Sequence, residues 1–160
     1  MSKRIQHDLT YDAPVSDVAA MLRDQTFREE VCDYQRVISK KVTITQNGGG
    51  MHVVIDMVQP ARGIPGFAQK FVGDTINIVQ SESWSSPTQG DITVSIPGKP
   101  GEMAGTAVLK ESGFGTVETV DLTVKVNIPL VGGKLEGLIA GLLEKALVAE
   151  NTVGRDWLSR

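Results

Sequence analysis

Apolar and polar residues alternate along most of this chain, and a period of two predicts β-strands. The first run covers residues 5–11, and two more runs between residues 38 and 58 are separated by Asn47 and three glycines, which suit a hairpin turn. Four further strands are predicted at residues 75–84, 91–96, 103–111 and 117–128. The short connections predict antiparallel neighbours, with one sheet face buried and the other in water.

A helical period replaces this alternation at two places before the first hairpin. Pro14 precedes an apolar stripe over residues 15–22, which predicts a short helix. Thr26 and Glu29 have the spacing of a capping box, and they predict the start of a second short helix that ends near Asp33.

A long C-terminal helix is predicted from about Lys134 to Trp157, after Pro129 and two glycines. Its expected apolar face holds Leu135, Leu138, Ile139, Leu142, Ala146, Ala149 and Val153. The charged residues that interrupt the apolar ones are Glu136, Glu144, Lys145 and Glu150. This pattern is typical of a helix that lies on a sheet, so we expect Leu142→Ala to destabilise the fold strongly. The predicted fold class is α+β.

Composition narrows the class of protein. The 160 residues are expected to form one domain, 1–160. The net charge of −3 and the scattered cations provide no basic stripe for nucleic acid. The single cysteine, Cys32, is expected to be an inert small residue, and a cytoplasmic location is predicted because no secretory signal is visible. No apolar run is long enough for stable membrane insertion.

The order strand, two short helices, six strands and long helix resembles the START-like, or SRPBCC, helix-grip superfamily. Four segments more narrowly resemble the actinobacterial family DUF2505, whose function is unknown: Tyr11–Pro14 before Val18, Ile64–Phe67 before Phe71–Asp74, Glu82–Trp84, and Ile128–Glu136. The resemblance covers nearly the whole chain. It implies a curved sheet of about seven strands around the long helix, with an apolar cavity for lipids, sterols, polyketides or similar molecules.

The concave face of that sheet is the predicted binding site, because a curved sheet cannot collapse fully onto one helix. The predicted ligand-binding residues are Met51, Val53, Ile55, Met57, Phe67, Phe71, Glu82, Trp84, Leu135, Leu138 and Leu142. The alternative is that side chains fill this space, since an apolar inner face is needed for folding in any case.

Glu82 is the one charged residue among these candidates. It shares strand parity with Ile76 and Trp84, so its carboxylate is expected near the apolar face, where it can orient a ligand hydroxyl. If Glu82 orients a ligand in this way, the Glu82→Gln variant is expected to fold normally. The alternative is a carboxylate that is solvated or paired with an Arg or Lys.

No catalytic residue, metal site or cofactor is predicted. His7 and His52 are the two histidines, and neither stands in a nucleophile or zinc motif. The two helix glycines Gly137 and Gly141 are expected to allow close approach to the sheet or to leave ligand volume.

The segment from Pro60 to Phe71 is too long for a hairpin turn, and it carries apolar side chains that a solvated loop would not need. We therefore predict that this segment is a gate to the cavity. Arg62 and Lys70 are placed to meet a polar ligand end or an anionic membrane surface. The alternative is a plug in which Phe67 and Phe71 close one end of the core.

Three functions remain at this point. The favoured one is non-catalytic binding or carriage of a hydrophobic small molecule, because the inward strand positions are almost uniformly aliphatic. The alternatives are a cyclase or hydrolase on the same fold, and a protein-interaction module resembling chaperone activators, against which the polar outer residues argue. Neither the ligand nor the oligomeric state follows from the sequence.

Overall fold

The computed structural model describes residues 2–61, 63–113 and 115–160. Its elements in chain order are β1 (Lys3–Tyr11), α1 (Val15–Leu22), α2 (Gln25–Tyr34), β2 (Ser39–Asn47), β3 (Gly50–Pro60), α3 (Gly66–Val72), β4 (Thr75–Ser86), β5 (Gln89–Ser95), β6 (Glu102–Ser112), β7 (Gly115–Lys125) and α4 (Gly132–Leu158). Arg62, which the sequence analysis paired with Lys70 at the gate, lies outside the described residues.

The seven strands form one antiparallel sheet in the order β1-β7-β6-β5-β4-β3-β2. Consecutive strands from β2 to β7 are neighbours, as their short connections predicted, and β1 joins the far edge beside β7. The α+β helix-grip fold, with a curved sheet and a long C-terminal helix, is therefore confirmed. Alternating burial along β7 leaves one face in the core, where Val120, Leu122 and Val124 are buried.

The helix pair α1 and α2 is present, but its cap differs from the predicted one. The side chain of Asp24, and not that of Thr26, accepts hydrogen bonds from the backbone N–H groups of Thr26 (2.8 Å) and Phe27 (3.3 Å). Asp is as good an N-cap as Thr, and the helix therefore begins earlier, at Gln25.

The segment between β3 and β4 contains a helix that the sequence analysis did not predict. Helix α3 starts after Pro65, whose carbonyl accepts hydrogen bonds from Ala68 and Gln69, and it stops at Gly73, where φ is +74°. A proline before the first turn and a left-handed glycine after the last are typical boundaries of a helix.

The C-terminal half of α4, residues 147–158, packs firmly against β1, α1 and α2. Gly154 lies so close to β1 and α1 that an added Cβ would stand 2.7 Å from the Tyr11 ring and 3.2 Å from Met21. The Trp157 ring meets Phe27 of α2 edge to face, with centroids 5.7 Å apart. Leu147, Ala149 and Val153 are buried along this half.

The N-terminal half of α4, residues 132–146, departs from the predicted faces. Leu142 is 39% exposed and is not the packed core residue that was expected. Glu136 is buried, and its carboxylate accepts the backbone N–H of Val126 at 2.9 Å. An added Cβ at Gly137 or Gly141 would meet nothing within 4 Å, so close approach to the sheet does not explain these glycines.

Candidate functional site

A cavity of about 350 Å³ lies between α4 and strands β3 to β6, and we call it the main cavity. Its apolar wall includes Met57, Ile64, Ile76, Ile78, Val94, Ile96, Met103, Ile139, Leu142, Leu143, Ala146 and Ala149. Its polar lining consists of Gln35, Gln59, Gln80 and Lys145. Tyr34 and Leu142 also line it and are exposed, so the cavity reaches the surface beside them.

A smaller cavity of about 60 Å³ adjoins the main cavity, and we call it the polar pocket. The two share the lining residues Gln35, Met57, Gln80, Val94, Leu143 and Ala146. Four charged residues face the polar pocket from four elements: Arg28 from α2, Glu82 from β4, Glu118 from β7 and Glu150 from α4. Its volume suits a few water molecules or one small polar group.

Arg28 and Glu82 form a buried, bidentate ion pair at one wall of the polar pocket. The guanidinium donates from Nη1 and Nη2 to the two Glu82 oxygens at 3.0 and 2.9 Å, and from Nε to the carbonyl of Leu22 at 2.9 Å. Both side chains are almost fully buried. Trp84 Nε1 (2.9 Å) and Gln80 Nε2 (2.5 Å) donate to the same carboxylate, so Glu82 receives four hydrogen bonds.

The charge states of this pair follow from these contacts. Burial raises the pKa of Glu82, but the Arg28 guanidinium and the other donors outweigh it, and the pKa lies below its ordinary value. Burial likewise lowers the pKa of Arg28, but the Glu82 charge outweighs it and the pKa is raised. Glu82 is therefore an ionised structural partner, which corrects the expectation that it is dispensable for folding.

Glu118 and Glu150 are the two carboxyl groups of the pocket that this ion pair does not neutralise. Glu118 is 3% exposed, and its Oε1 has no hydrogen-bond partner. Burial first, and the Glu150 charge second, raise the pKa of Glu118 well above its ordinary value. Burial also raises the pKa of Glu150 to about 7, while Arg28 opposes the shift. Glu150 lines the pocket from α4.

Tyr11 contributes a further buried polar atom beside these carboxyl groups. Its hydroxyl has no hydrogen-bond partner, and burial, followed by the charges of Glu150 and Glu118, raises its pKa. Cys32, which also lines the pocket, is buried, and burial raises its pKa to about 11. Both groups are therefore neutral near neutral pH.

The predicted ligand-binding residues are divided between several places. Ile55, Met57 and Glu82 line the polar pocket, and Met57 and Leu142 line the main cavity. A third cavity of about 60 Å³ beneath α3, which we call the α3 pocket, is lined by Phe71, Leu135, Leu138 and Leu142. It shares Ile64, Ile76, Ile96, Ile139 and Leu142 with the main cavity.

The remaining four predicted residues lie elsewhere. Met51 and Trp84 line a separate depression near α1, and an added Cβ at Gly90 would stand 2.6 Å from the Trp84 ring. Val53 is fully buried. Phe67 packs against the core, with Lys134 Nζ 5.9 Å from its ring centroid.

Arg28, Glu118 and Glu150 were not among the site residues predicted from the sequence. Glu118 has the strand parity of the buried residues Val120 and Leu122, so continuing that alternation by one step would have placed it inward. Glu150 follows Ala146 by four residues, which places it on the cavity side of α4. No local pattern marks Arg28, because only the packing of α2 against the sheet brings it to Glu82.

Neither a metal-binding group of side chains nor a membrane-spanning helix is present in the described ranges. Between residues 2 and 160, positions 62 and 114 excepted, no group of three or more His, Cys, Asp or Glu side chains is arranged to hold a metal ion. No helix in the same ranges combines the length and the hydropathy that crossing a bilayer requires.

Comparison with protein families gives a match over most of the chain. The model of the family described as "Protein of unknown function (DUF2505)" matches residues 6–158. The uncharacterized protein Rv0481c of Mycobacterium tuberculosis is 31% identical over 118 residues, which is 69% of this chain and 67% of that protein.

Solved structures show the same fold at low sequence identity. The Zhui aromatase/cyclase from Streptomyces sp. R1128 is 12% identical, with a TM-score of 0.70 over 100% of this chain and 95% of that one. Norcoclaurine synthase from Thalictrum flavum is 16% identical, with a TM-score of 0.62 over 96% of this chain and 86% of that one. The fold is thus one on which ligand-binding proteins, some of them cyclases, are built.

Proposed function

We propose that this chain, which belongs to the DUF2505 family, binds or carries a hydrophobic small molecule between the sheet and α4 without catalysis. The observation that carries the proposal is the main cavity, about 350 Å³ of space with a mostly aliphatic wall. Protein interiors normally pack with few voids larger than a water molecule, and ligand pockets are apolar with a few placed polar groups. Lipid-like, sterol-like and polyketide-like molecules are the proposed ligand classes.

Filling the cavity from α4 tests this proposal. Ala146 lines both the main cavity and the polar pocket, so Ala146→Phe places a ring in the shared space. Val148 is 51% exposed on the same helix, and Val148→Phe is the matched control. Titration with the uncharged fluorescent probe N-phenylnaphthylamine should show binding to the wild type and the control, and a loss of about tenfold or more for Ala146→Phe.

Equal binding by all three proteins would contradict the proposal, because the probe would then lie outside the cavity. Native mass spectrometry of freshly purified protein supplies a second test. A retained small molecule that is present in the wild type and missing from Ala146→Phe supports carriage.

An acid–base enzyme of the cyclase or hydrolase type is the second candidate, and one observation favours it. The inner face is not uniformly aliphatic, since Glu118 and Glu150 face the polar pocket and the pKa of Glu150 is about 7, a value suited to general acid–base catalysis. Small molecules extracted from the wild type and from Glu150→Gln separate the two candidates. A carrier yields the same molecule from both, whereas an enzyme accumulates a different one in the variant.

The expected domain organisation, location and partners of the protein remain predictions. We expect a single domain over 1–160, a cytoplasmic location, no nucleic-acid partner and no cofactor. The outer sheet face is polar and internally paired, with Arg4 bonded to Asp121 and Thr119 donating to Asp8, which argues against a protein-interaction function.

A further inference from the structure

The polar pocket contains more acidic than basic groups. Its titratable lining consists of Arg28 on α2, Glu82 on β4, Glu118 on β7, Glu150 on α4 and the neutral thiol of Cys32. The Tyr11 hydroxyl of β1 lies close to the carboxyl groups of Glu118 and Glu150. Within the described residues, Arg28 is the only Lys or Arg that lines it.

Arg28 offsets the charges of Glu118 and Glu150 only in part, and it makes no hydrogen bond to either of them. Three of its five guanidinium N–H groups donate to Glu82 and to the carbonyl of Leu22, and Glu82 itself accepts four hydrogen bonds. The charge of Arg28 is therefore already matched by that of Glu82. Two carboxyl groups remain on the other wall, and one of them, Glu118, is 3% exposed with an oxygen that lacks any partner.

An unpartnered, fully buried carboxyl oxygen is costly, and native structures rarely leave one without a purpose. This oxygen belongs to a side chain that lines a pocket with room for one small polar group. The pocket adjoins the main cavity through shared residues, so a ligand whose apolar body fills the main cavity can extend its polar end to Glu118 and Glu150.

We propose that the polar pocket binds the protonated amine of a hydrophobic ligand, held between the carboxylates of Glu118 and Glu150, while the apolar body occupies the main cavity. This inference rests on the proposed function and adds the chemical class of the ligand.

An amine fits better than a hydroxyl or a carboxylate for electrostatic reasons. An ammonium group donates up to three hydrogen bonds, and its positive charge favours the ionised form of both carboxyl groups, whose pKa values burial raises. A hydroxyl brings no charge and does not favour ionisation of either group. A carboxylate brings a negative charge next to Glu118 and Glu150, and like-charge repulsion opposes it wherever either group is ionised.

The test compares octylamine, octanol and octanoate, which share one chain and differ in the head group. Isothermal titration calorimetry at about pH 8 is suitable, since an alkyl amine stays protonated below a pKa of about 10. Octylamine should bind the wild type about tenfold or more tightly than either other probe. Each of Glu118→Gln and Glu150→Gln should lower octylamine affinity about tenfold and leave octanol affinity unchanged.

Glu144→Gln is the matched control, because Glu144 is exposed on the same helix. It should bind all three probes as the wild type does. In the wild type, octylamine should also bind more weakly at about pH 5.5 than at about pH 8, because Glu150, with a pKa of about 7, is then protonated, while octanol binding should stay constant.

The outcomes separate the two proposals. If octanol or octanoate binds as tightly as octylamine, the amine inference is overturned and the hydrophobic-cavity function stands. If none of the three probes binds and N-phenylnaphthylamine also fails, both proposals are overturned. The head-group comparison uses only the wild type, so it decides the matter even when a Gln variant does not fold.

Discussion

The two halves of α4 lie on the same sheet and are packed in opposite ways. The C-terminal half leaves no room beside Tyr11 and Met21, and it donates from Asn151 and Arg155 to the carbonyl of Thr10 in β1. The N-terminal half carries two glycines with open space around them, a Leu142 that is 39% exposed, and the main cavity beneath it.

This difference teaches how one helix can both hold the fold and leave a binding site. The tight half supplies close contacts, which contribute most of the packing energy because dispersion falls steeply with distance. The loose half leaves cavity volume beneath it. Its glycines Gly137 and Gly141 are exposed and line none of the three cavities, and each costs about 0.5 to 1 kcal/mol relative to alanine in a helix. The polar pocket lies where the two halves meet, between Leu143 and Glu150.

The largest expected effect comes from breaking the ion pair at that meeting point. Glu82→Gln leaves the Arg28 charge buried without a counter-charge, so we expect a loss of about 3 to 5 kcal/mol in the free energy of unfolding. Urea unfolding measures it. The double variant Arg28→Met, Glu82→Met should lose less than the two single changes together, and strict additivity would show that the pair is not coupled.

The pH dependence of stability should depend on Glu150. Its pKa is about 7 in the folded state and about 4.5 when unperturbed, so the folded state keeps a proton that the unfolded state loses. Stability should therefore fall as pH rises from about 4.5 to 7, by up to about 3 kcal/mol. Glu150→Gln should reduce this fall in denaturant titrations across that range, whereas Glu144→Gln should keep the wild-type slope.

Matched leucines in the two halves of α4 compare their packing directly. Leu147 is buried in the tight half, and Leu147→Ala should cost about 2 to 3 kcal/mol. Leu142→Ala should cost less than about 1 kcal/mol, in contrast to the large loss expected from sequence. Equal losses in thermal or urea unfolding would remove the distinction between the halves.

Glycine substitutions give a smaller effect with opposite signs. Gly141→Ala should stabilise the protein by about 0.5 to 1 kcal/mol, because the new methyl meets nothing and the helix propensity improves. Gly154→Ala should destabilise it by about 1 to 3 kcal/mol, because the methyl meets the Tyr11 ring. If both substitutions raised the free energy of unfolding, the C-terminal half of α4 would be less tightly packed than the structure shows.

The gate predicted at residues 60–71 is tested by local opening rather than by global stability. Helix α3 and Phe71 cover the α3 pocket, and we expect their amides to exchange faster in the free protein than those of β7. N-phenylnaphthylamine should slow that exchange. Exchange as slow as that of β7 without any probe would favour a plug, and the opening beside Tyr34 and Leu142 would then be the entrance.

The sequence by itself determined the order of the strands, the antiparallel pairing of consecutive strands from β2 to β7 and the long C-terminal helix, but not the helix α3. These follow from the alternation of residues such as Val120 and Leu122 and from the helical spacing of residues such as Leu135 and Val153, which depend only on local geometry. The family resemblance added the grip arrangement and the expectation of a cavity.

Only the tertiary structure decided which polar groups enter the core. Arg28 meets Glu82 across 54 residues of sequence, and Glu118 and Glu150 share a pocket because β7 and α4 pack face to face. Side-chain periodicity indicates a face, but it does not fix the rotation of α4 on the sheet, so Leu142 was wrongly assigned to the packed core and Glu150 was not recognised as a pocket residue. That rotation is set by close contacts at Gly154, Tyr11 and Met21, which no local pattern encodes.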